Sequence, residues 1–312
     1  MKYNYSIIIP HHNIPLLLKR CLSSIPHRPD LQIIVIDDNS SPQCISELKL
    51  LEKEFPHVLF YYLAQGGGAG KARNIGLTQS KGEYILFADA DDFFNYCLDE
   101  ILSEYINSKY DVIYFNANSL DTNKYQPTWR NLYLSKMIAE YKNHPDKAIF
   151  KLKYVFGEPW CKLVKKELII KNQITFDETN IHNDTKYSYL VGFYSQTIHV
   201  DERAIYCVTD RIGSISKQIS PDRLLTRTRI FASANTFFKK HHIKRFDDRA
   251  IRPLLHFLLH ADIKKAKQCY LILKQSQTSN LSILFRILFY PLVLVQKVIF
   301  RINKKLLTLL SQ

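Results

Sequence analysis

The chain has 312 residues, 46% of them hydrophobic and only nine of them glycine, which excludes a collagen-like or largely disordered protein. Its 43 Lys and Arg against 29 Asp and Glu give a net charge of +14, which raises nucleic acid or an anionic membrane as a partner. The excess is local: residues 1–238 hold 28 basic and 26 acidic side chains, whereas residues 239–312 hold 15 basic ones against Asp247, Asp248 and Asp262.

A near-neutral body with a basic tail is expected to touch an anionic surface with one end. Cys21, Cys44, Cys97, Cys161, Cys207 and Cys269 form no CxxC or CxH pair, which argues against a zinc site or disulfide framework and for reduced thiols. The N-terminal apolar run, Ile7 to Ile9, is too short for a signal peptide, so a cytoplasmic active part is expected.

In chain order, Ser6 to Ile9 reads as a strand buried on both faces, and Ile14 to Ile25 as a helix ended by Pro26. Gln32 to Ile36 is a second strand, Ser46 to Phe55 a helix, and Val58 to Tyr62 a third strand. Gly66 to Gly70 reads as a loop, Ala72 to Ser80 as a helix, Tyr84 to Phe87 as a fourth strand and Val112 to Phe115 as a fifth. Strands alternating with helices predict an α/β fold with a parallel sheet. Residues 116–215 read as α+β, and from Asp222 onward the pattern is helical.

Each early strand runs into polar residues: Pro10-His11-His12-Asn13, Asp37-Asp38-Asn39-Ser40, the stretch Gln65 to Asn74, and Asp89-Ala90-Asp91-Asp92. The carboxyl ends of parallel strands share one edge, where ligands bind, so the four clusters predict one site. Taken singly they are weaker. Asp37 to Ser40 also suits a plain turn and helix cap. The glycine run fails as a P-loop because Gln65 stands where the first Gly is required and Ala72 where Ser or Thr is required. It keeps Lys71 and Arg73 at a helix start, a cradle for an anion. Asp89, Asp91 and Asp92 would repel one another without a cation, and oxygen-only donors suit Mg²⁺ or Mn²⁺ holding a phosphate.

Ser6–Asn13, Ile34–Ser40, Gly67–Leu77 and Gly82–Phe93 resemble the successive motifs of family 2 glycosyltransferases with the GT-A fold, Asp89-Ala90-Asp91 standing as the DxD signature. Glu158 to Leu163 followed by Lys165 to Leu168 resembles the family's PWxKL stretch. Phe176-Asp177-Glu178 and His182-Asn183-Asp184 stand where it shows FxE and a Glu-Asp pair, and Arg211 to Ser216 is similar to the closing segment. The resemblance covers residues 5–216. It implies a nucleotide-sugar half, 1–115, and an acceptor half, 116–216, followed by a basic amphipathic helical region, 217–312.

By position, the resemblance assigns Pro10, His12 and Asp38 to the base and ribose, with Asp38 preferred over Asp37 as base reader. Arg73 and Asn74 fall near ribose and phosphates. Asn13, Asp37, Gly68 and Lys71, in the same matched segments, are also expected to bind the nucleotide sugar. Asp91 matches the metal ligand, Asp89 its acidic partner, and Asp184 the catalytic base. Trp160, Lys162 and His182 are acceptor candidates, with a core Trp, a solvated Lys and an ordinary His as the plain alternatives. Asn183 replaces the usual Glu, and His11-His12 replaces the commoner pair.

The expected activity is metal-dependent, inverting transfer from a nucleotide sugar, UDP-linked by preference, to a hydroxyl on a glycan or lipid-linked acceptor in bacterial cell-surface polysaccharide assembly. Within residues 281–312 the longest uncharged run is 10 residues, too short to span a bilayer, so the tail is expected to lie on the inner face of the membrane. Packing on the domain or on a second copy in a homo-oligomer is the alternative. A nucleotidyltransferase would carry its glycine-rich loop after the first strand, where Pro10 to Asn13 stand instead. A nucleic-acid partner would call for aromatic residues interleaved with the basic ones, whereas the tail has few of them and interleaves its basic residues with Leu, Ile and Val.

Overall fold

The computed structural model describes residues 3–211, 220–276, 278–281 and 283–288. The chain divides into two compact units, Met1–Gln218 and Ile219–Gln312.

The first unit is built on an eight-stranded mixed sheet flanked by helices. Strands β1 (Tyr5–His11), β2 (Leu31–Asp37), β3 (Val58–Tyr62) and β4 (Tyr84–Phe87) pair in parallel in the order β3-β2-β1-β4. Helices α1 (Pro15–Ser23), α2 (Pro42–Glu54) and α3 (Gly68–Gln79) make the crossovers. Covering the sheet on both faces is what makes β1 and β2 continuous apolar runs. Two of their buried polar residues satisfy each other: Ser6 Oγ donates to Gln32 Oε1 (2.7 Å) and accepts from Gly82 N, and Gln32 Nε2 donates to Gln79 O. This network pins the α3–β4 turn. Gly76 lets α3 sit hard on β1, since a Cβ there would lie 2.3 Å from Ile8 Cγ2.

Beyond β4 the expected parallel sheet gives way to a mixed one. β5 (Phe93–Phe94) and α4 (Leu98–Glu104) lead to the long β6 (Val112–Asp121), and α5 (Leu132–Tyr141) and α6 (Pro145–Tyr154) lead to β7 (Lys162–Lys165). β7 inserts antiparallel between β4 and β6. After α7 (Lys166–Lys171) and α8 (Thr185–Tyr194), β8 (Ile198–Asp210) runs parallel to β6, and β5 caps the edge antiparallel to β8. Two lysines in four residues hide β7 from any reading of hydrophobic pattern. Two boundaries also differ: α2 begins at Pro42 with Ser41 as its cap, and the glycines from Gly68 onward form the first turn of α3 rather than a loop.

The second unit packs α9 (Pro221–Lys240), a 3-10 turn (Asp248–Ala250), α10 (Arg252–Leu259) and α11 (Ile263–Gln275) around Leu225, Phe231, Leu254, Phe257, Cys269 and Leu273. The predicted segment similarity over 212–216 and most of the tail, 289–312, lie outside the described residues.

Candidate active site

The ends of β1 and β2 are locked together by a buried pair. His11 Nδ1 lies 2.8 Å from Asp37 Oδ1, while His11 Nε2 accepts from Ile14 N (3.1 Å), which fixes the neutral Nδ1–H tautomer. Asp37 also accepts from Ser40 N and Ser40 Oγ. Burial opposes its charge, but these hydrogen bonds outweigh burial and hold its carboxyl below the usual range. Asp37 is thus spent on the scaffold, and Asp38 is the member of the pair that faces the glycine stretch.

Its two oxygens accept from Gly67 N (2.8 Å) and Gly68 N (2.7 Å), the positive end of α3. Exposed His12 lies beside it, with Nδ1 on Asp38 O and Nε2 accepting from Asn13 Nδ2. Asn13, at φ 57°, ties the two strand ends by donating from N to Ser40 Oγ and accepting from Ser41 N. Pro10 is buried within β1, and Lys71 reaches only Gln65 O at 3.5 Å.

Arg73, on α3 and only 5% exposed, joins three of the predicted clusters. It donates from Nη2 to Asp89 Oδ1 (2.6 Å) and from Nη1 to Asn183 Oδ1 (2.7 Å). Gly70 makes this approach feasible, because a Cβ there would stand 2.1 Å from Asp177 O. Asn74, expected near ribose and phosphates, binds within the chain. Its amide pairs with the backbone of Phe176 in both directions, Nδ2 to O (3.0 Å) and Oδ1 from N (2.8 Å), so it glues α3 to the segment before Asp184.

The ligand oxygens of Asp89, Asp91 and Asp92 lie within 4.8 Å of one another, a donor set that fits Mg²⁺ or Mn²⁺. The repulsion expected from sequence is relieved within the chain as well. Arg73 pairs with Asp89, and Arg211 Nε donates to Asp91 Oδ2 at 2.8 Å. Asp92 is buried and accepts from Thr209 N (2.7 Å), and burial, then Asp91 and Asp89, push its carboxyl well above the ordinary range. A cation binding at Asp91 would therefore meet a guanidinium already paired with one of its two oxygens. The strand end itself is held by Arg20 Nη2 and Thr209 Oγ1, which donate to Asp91 O, and by Tyr206, whose hydroxyl accepts from Asp89 N.

Asp184 occupies the N-cap position of α8 but its side chain caps nothing. Burial first, then the Glu158 carboxylate, raise its carboxyl to about 6, against the opposing pull of Arg73. The loop carrying Glu158 is tied to α8 by Ser188 Oγ, which donates to Gly157 O (2.5 Å) and Glu158 O (3.3 Å). Lys162 ties the same loop from below, its wholly buried ammonium donating to Phe156 O at 3.1 Å, with burial lowering it to about 7.

Two acceptor candidates are thereby relocated. Lys162 is an internal residue in place of the solvated lysine of the plain alternative. Trp160 is core, stacked on Tyr206 with ring centres 5.7 Å apart, and so buttresses the residue that holds Asp89. His182 stands half-buried at φ 51°, two residues before Asp184. Glu158 and Arg211 acquire no role from spacing alone. Both stood inside segments noted for their resemblance, and that membership was the only signal available.

A four-stranded parallel half, Asp89-Ala90-Asp91 beyond a strand end and a mixed sheet flanked by helices agree with the GT-A fold. The comparisons agree. Residues 6–172 match the model of "Glycosyl transferase family 2", more than half of the chain. A poly(ribitol-phosphate) β-glucosyltransferase of Bacillus spizizenii is 30% identical over 55% of this chain, which spans only 26% of that relative's length. The poly(ribitol-phosphate) β-N-acetylglucosaminyltransferase TarP of Staphylococcus aureus is 27% identical over 75% of this chain and 71% of its own. Among solved structures, residues 1–349 of S. aureus TarS with UDP-GlcNAc superpose with a TM-score of 0.60 at 20% identity, covering 88% of this chain and 91% of that one. The chain belongs to glycosyl transferase family 2.

Proposed function

We propose that this protein transfers a sugar from a UDP-sugar to a hydroxyl of a glycan or lipid-linked acceptor with inversion, and that Asp184 is the general base. The observation that carries the reading is Arg73, one buried guanidinium that ties the DxD carboxylate Asp89 to Asn183, the neighbour of Asp184. The structure of TarS with UDP-GlcNAc supports the choice of donor.

In this reading the acceptor oxygen attacks the anomeric carbon opposite the diphosphate while its proton passes to the Asp184 carboxylate. The bond between that carbon and the diphosphate oxygen breaks, and the nucleoside diphosphate leaves. Asp89 and Asp91 would hold Mn²⁺ or Mg²⁺, which when bound supplies positive charge to the departing diphosphate. Asp38 and His12 would receive the base and ribose, and the α3 N-terminus with Lys71 the phosphates. The acceptor class, cell-surface polysaccharide, rests on the poly(ribitol-phosphate) relatives, and a position at an anionic membrane surface rests on the charge of residues 239–312.

Nucleotide release from a panel of nucleotide sugars, with Mn²⁺ or Mg²⁺ and without, tests the reading. Metal-dependent release from one UDP-sugar is expected, and no release from any donor overturns it. A pH series tests the base. With its carboxyl at about 6, Asp184 is charged above that pH and protonated below it, so kcat/KM should fall as pH drops through 6. Glu158→Gln removes one of the causes that raise Asp184, so this acid limb should move to lower pH. An unmoved limb would show that Glu158 does not set the base.

A further inference from the structure

The second unit carries a surface that a water-facing helix bundle does not normally leave open. α11 buries Ala266, Cys269 and Leu273, as a core-facing stripe should. Outside that stripe the helix is not uniformly polar: Ile263, Tyr270 and Leu271 are exposed among Lys264, Lys267 and Lys274, with Ile263 at 66%. Between this helix, α10 and residues 280–288 lies an almost wholly apolar cleft of about 810 Å³, lined among others by Leu254, Leu258, Ile263, Tyr270, Leu284 and Ile287. Around it Leu259, Leu281, Phe285 and Leu288 are also largely exposed, which makes the patch far more apolar than a monomer's surface ordinarily tolerates.

The charge around the cleft has one sign. No acidic residue occurs from Ile263 to the end of the sequence, and exposed Lys264, Lys267 and Lys274 form no ion pair among the described residues. We propose that this face docks on an anionic lipid bilayer, with Ile263, Leu284 and their neighbours entering the acyl boundary and the lysines meeting headgroup phosphates. The inference deepens the membrane-surface part of the function proposed above and rests on it. Long lysine stems suit such an interface, because they lay hydrocarbon along the apolar layer while the ammonium stays in water. A second copy of the chain fits less well, since a two-fold contact would set this unbalanced basic face against itself. No described helix is long and apolar enough to cross a membrane, in keeping with a surface that lies on one.

The test is flotation of the full chain with vesicles of phosphatidylcholine alone or mixed with phosphatidylglycerol, across a salt series. Wild type should float with the anionic vesicles only, and less as salt rises. Ile263→Glu combined with Leu284→Glu should cut the bound fraction by roughly tenfold or more, and Lys264→Gln with Lys267→Gln and Lys274→Gln should abolish its salt dependence. All five positions are exposed and distant from the donor residues in sequence, so both variants should keep their far-ultraviolet circular dichroism and their nucleotide release. Nucleotide release in the same preparations reports on the catalytic reading separately. Wild type that ignores anionic vesicles overturns the proposal, as does the double Glu variant floating like wild type. A dimer seen by light scattering that the Glu substitutions dissolve, with vesicle binding unchanged, overturns it in favour of a second copy.

Discussion

Asp184→Asn is expected to lower kcat by roughly 10²- to 10⁴-fold while leaving the affinity for the nucleotide almost unchanged. The substitution removes the proton acceptor but keeps the shape of the side chain. It should not unfold α8, because the Asp184 side chain makes no capping hydrogen bond there. The residues proposed to bind the donor at the ends of β1 and β2 are held by their own network through Asp37, His11 and Ser40, which does not include Asp184. Steady-state kinetics beside calorimetric UDP titration make the separation. A variant that keeps wild-type kcat would remove Asp184 from the mechanism, and one that loses UDP binding in parallel would place it at the donor instead.

Asp91→Asn is expected to abolish Mn²⁺ binding at the DxD and to cost on the order of 10³-fold in transfer, the scale on which an electrostatic group facing a departing oxyanion contributes. Mn²⁺ titration followed by electron paramagnetic resonance reads the first effect without recourse to activity. The substitution also frees Arg211, whose partner is Asp91 at 2.8 Å. That pair is partly solvated, so its loss should change thermal stability little. The converse change, Arg211→Gln, removes a positive charge that repels a cation beside Asp91 and should tighten Mn²⁺ binding in the absence of nucleotide. Unchanged Mn²⁺ affinity in Asp91→Asn would exclude Asp91 as a ligand.

The two substitutions probe parts of the site that were legible to different degrees before the fold was known. β1, β2 and β4 could be seen because a strand covered on both faces must be apolar throughout. The polar clusters that follow them had to share an edge, because parallel strands end on the same side. β7 could not be seen: its lysines follow no strand period, and burying Lys162 depends on a carbonyl from Phe156, which the fold brings to it. Type and spacing did not separate Asp37 from Asp38; the structure ties Asp37 to His11 and Ser40 and sets Asp38 on Gly67 and Gly68.

Sequence alone determined the α/β order of the first unit, the single edge on which its acidic and glycine-rich clusters meet, and the concentration of +12 of the +14 charge in a basic, apolar end. These follow from periodicity and composition, which act over a few residues. Only the tertiary structure decided what each polar side chain does. It set Arg73 between Asp89 and Asn183, Arg211 on Asp91, Glu158 near Asp184 and Asn74 on the backbone of Phe176. Most of these partners are a hundred or more residues apart, and electrostatic and hydrogen-bonding roles are fixed by distances of a few ångströms, which a linear pattern does not encode.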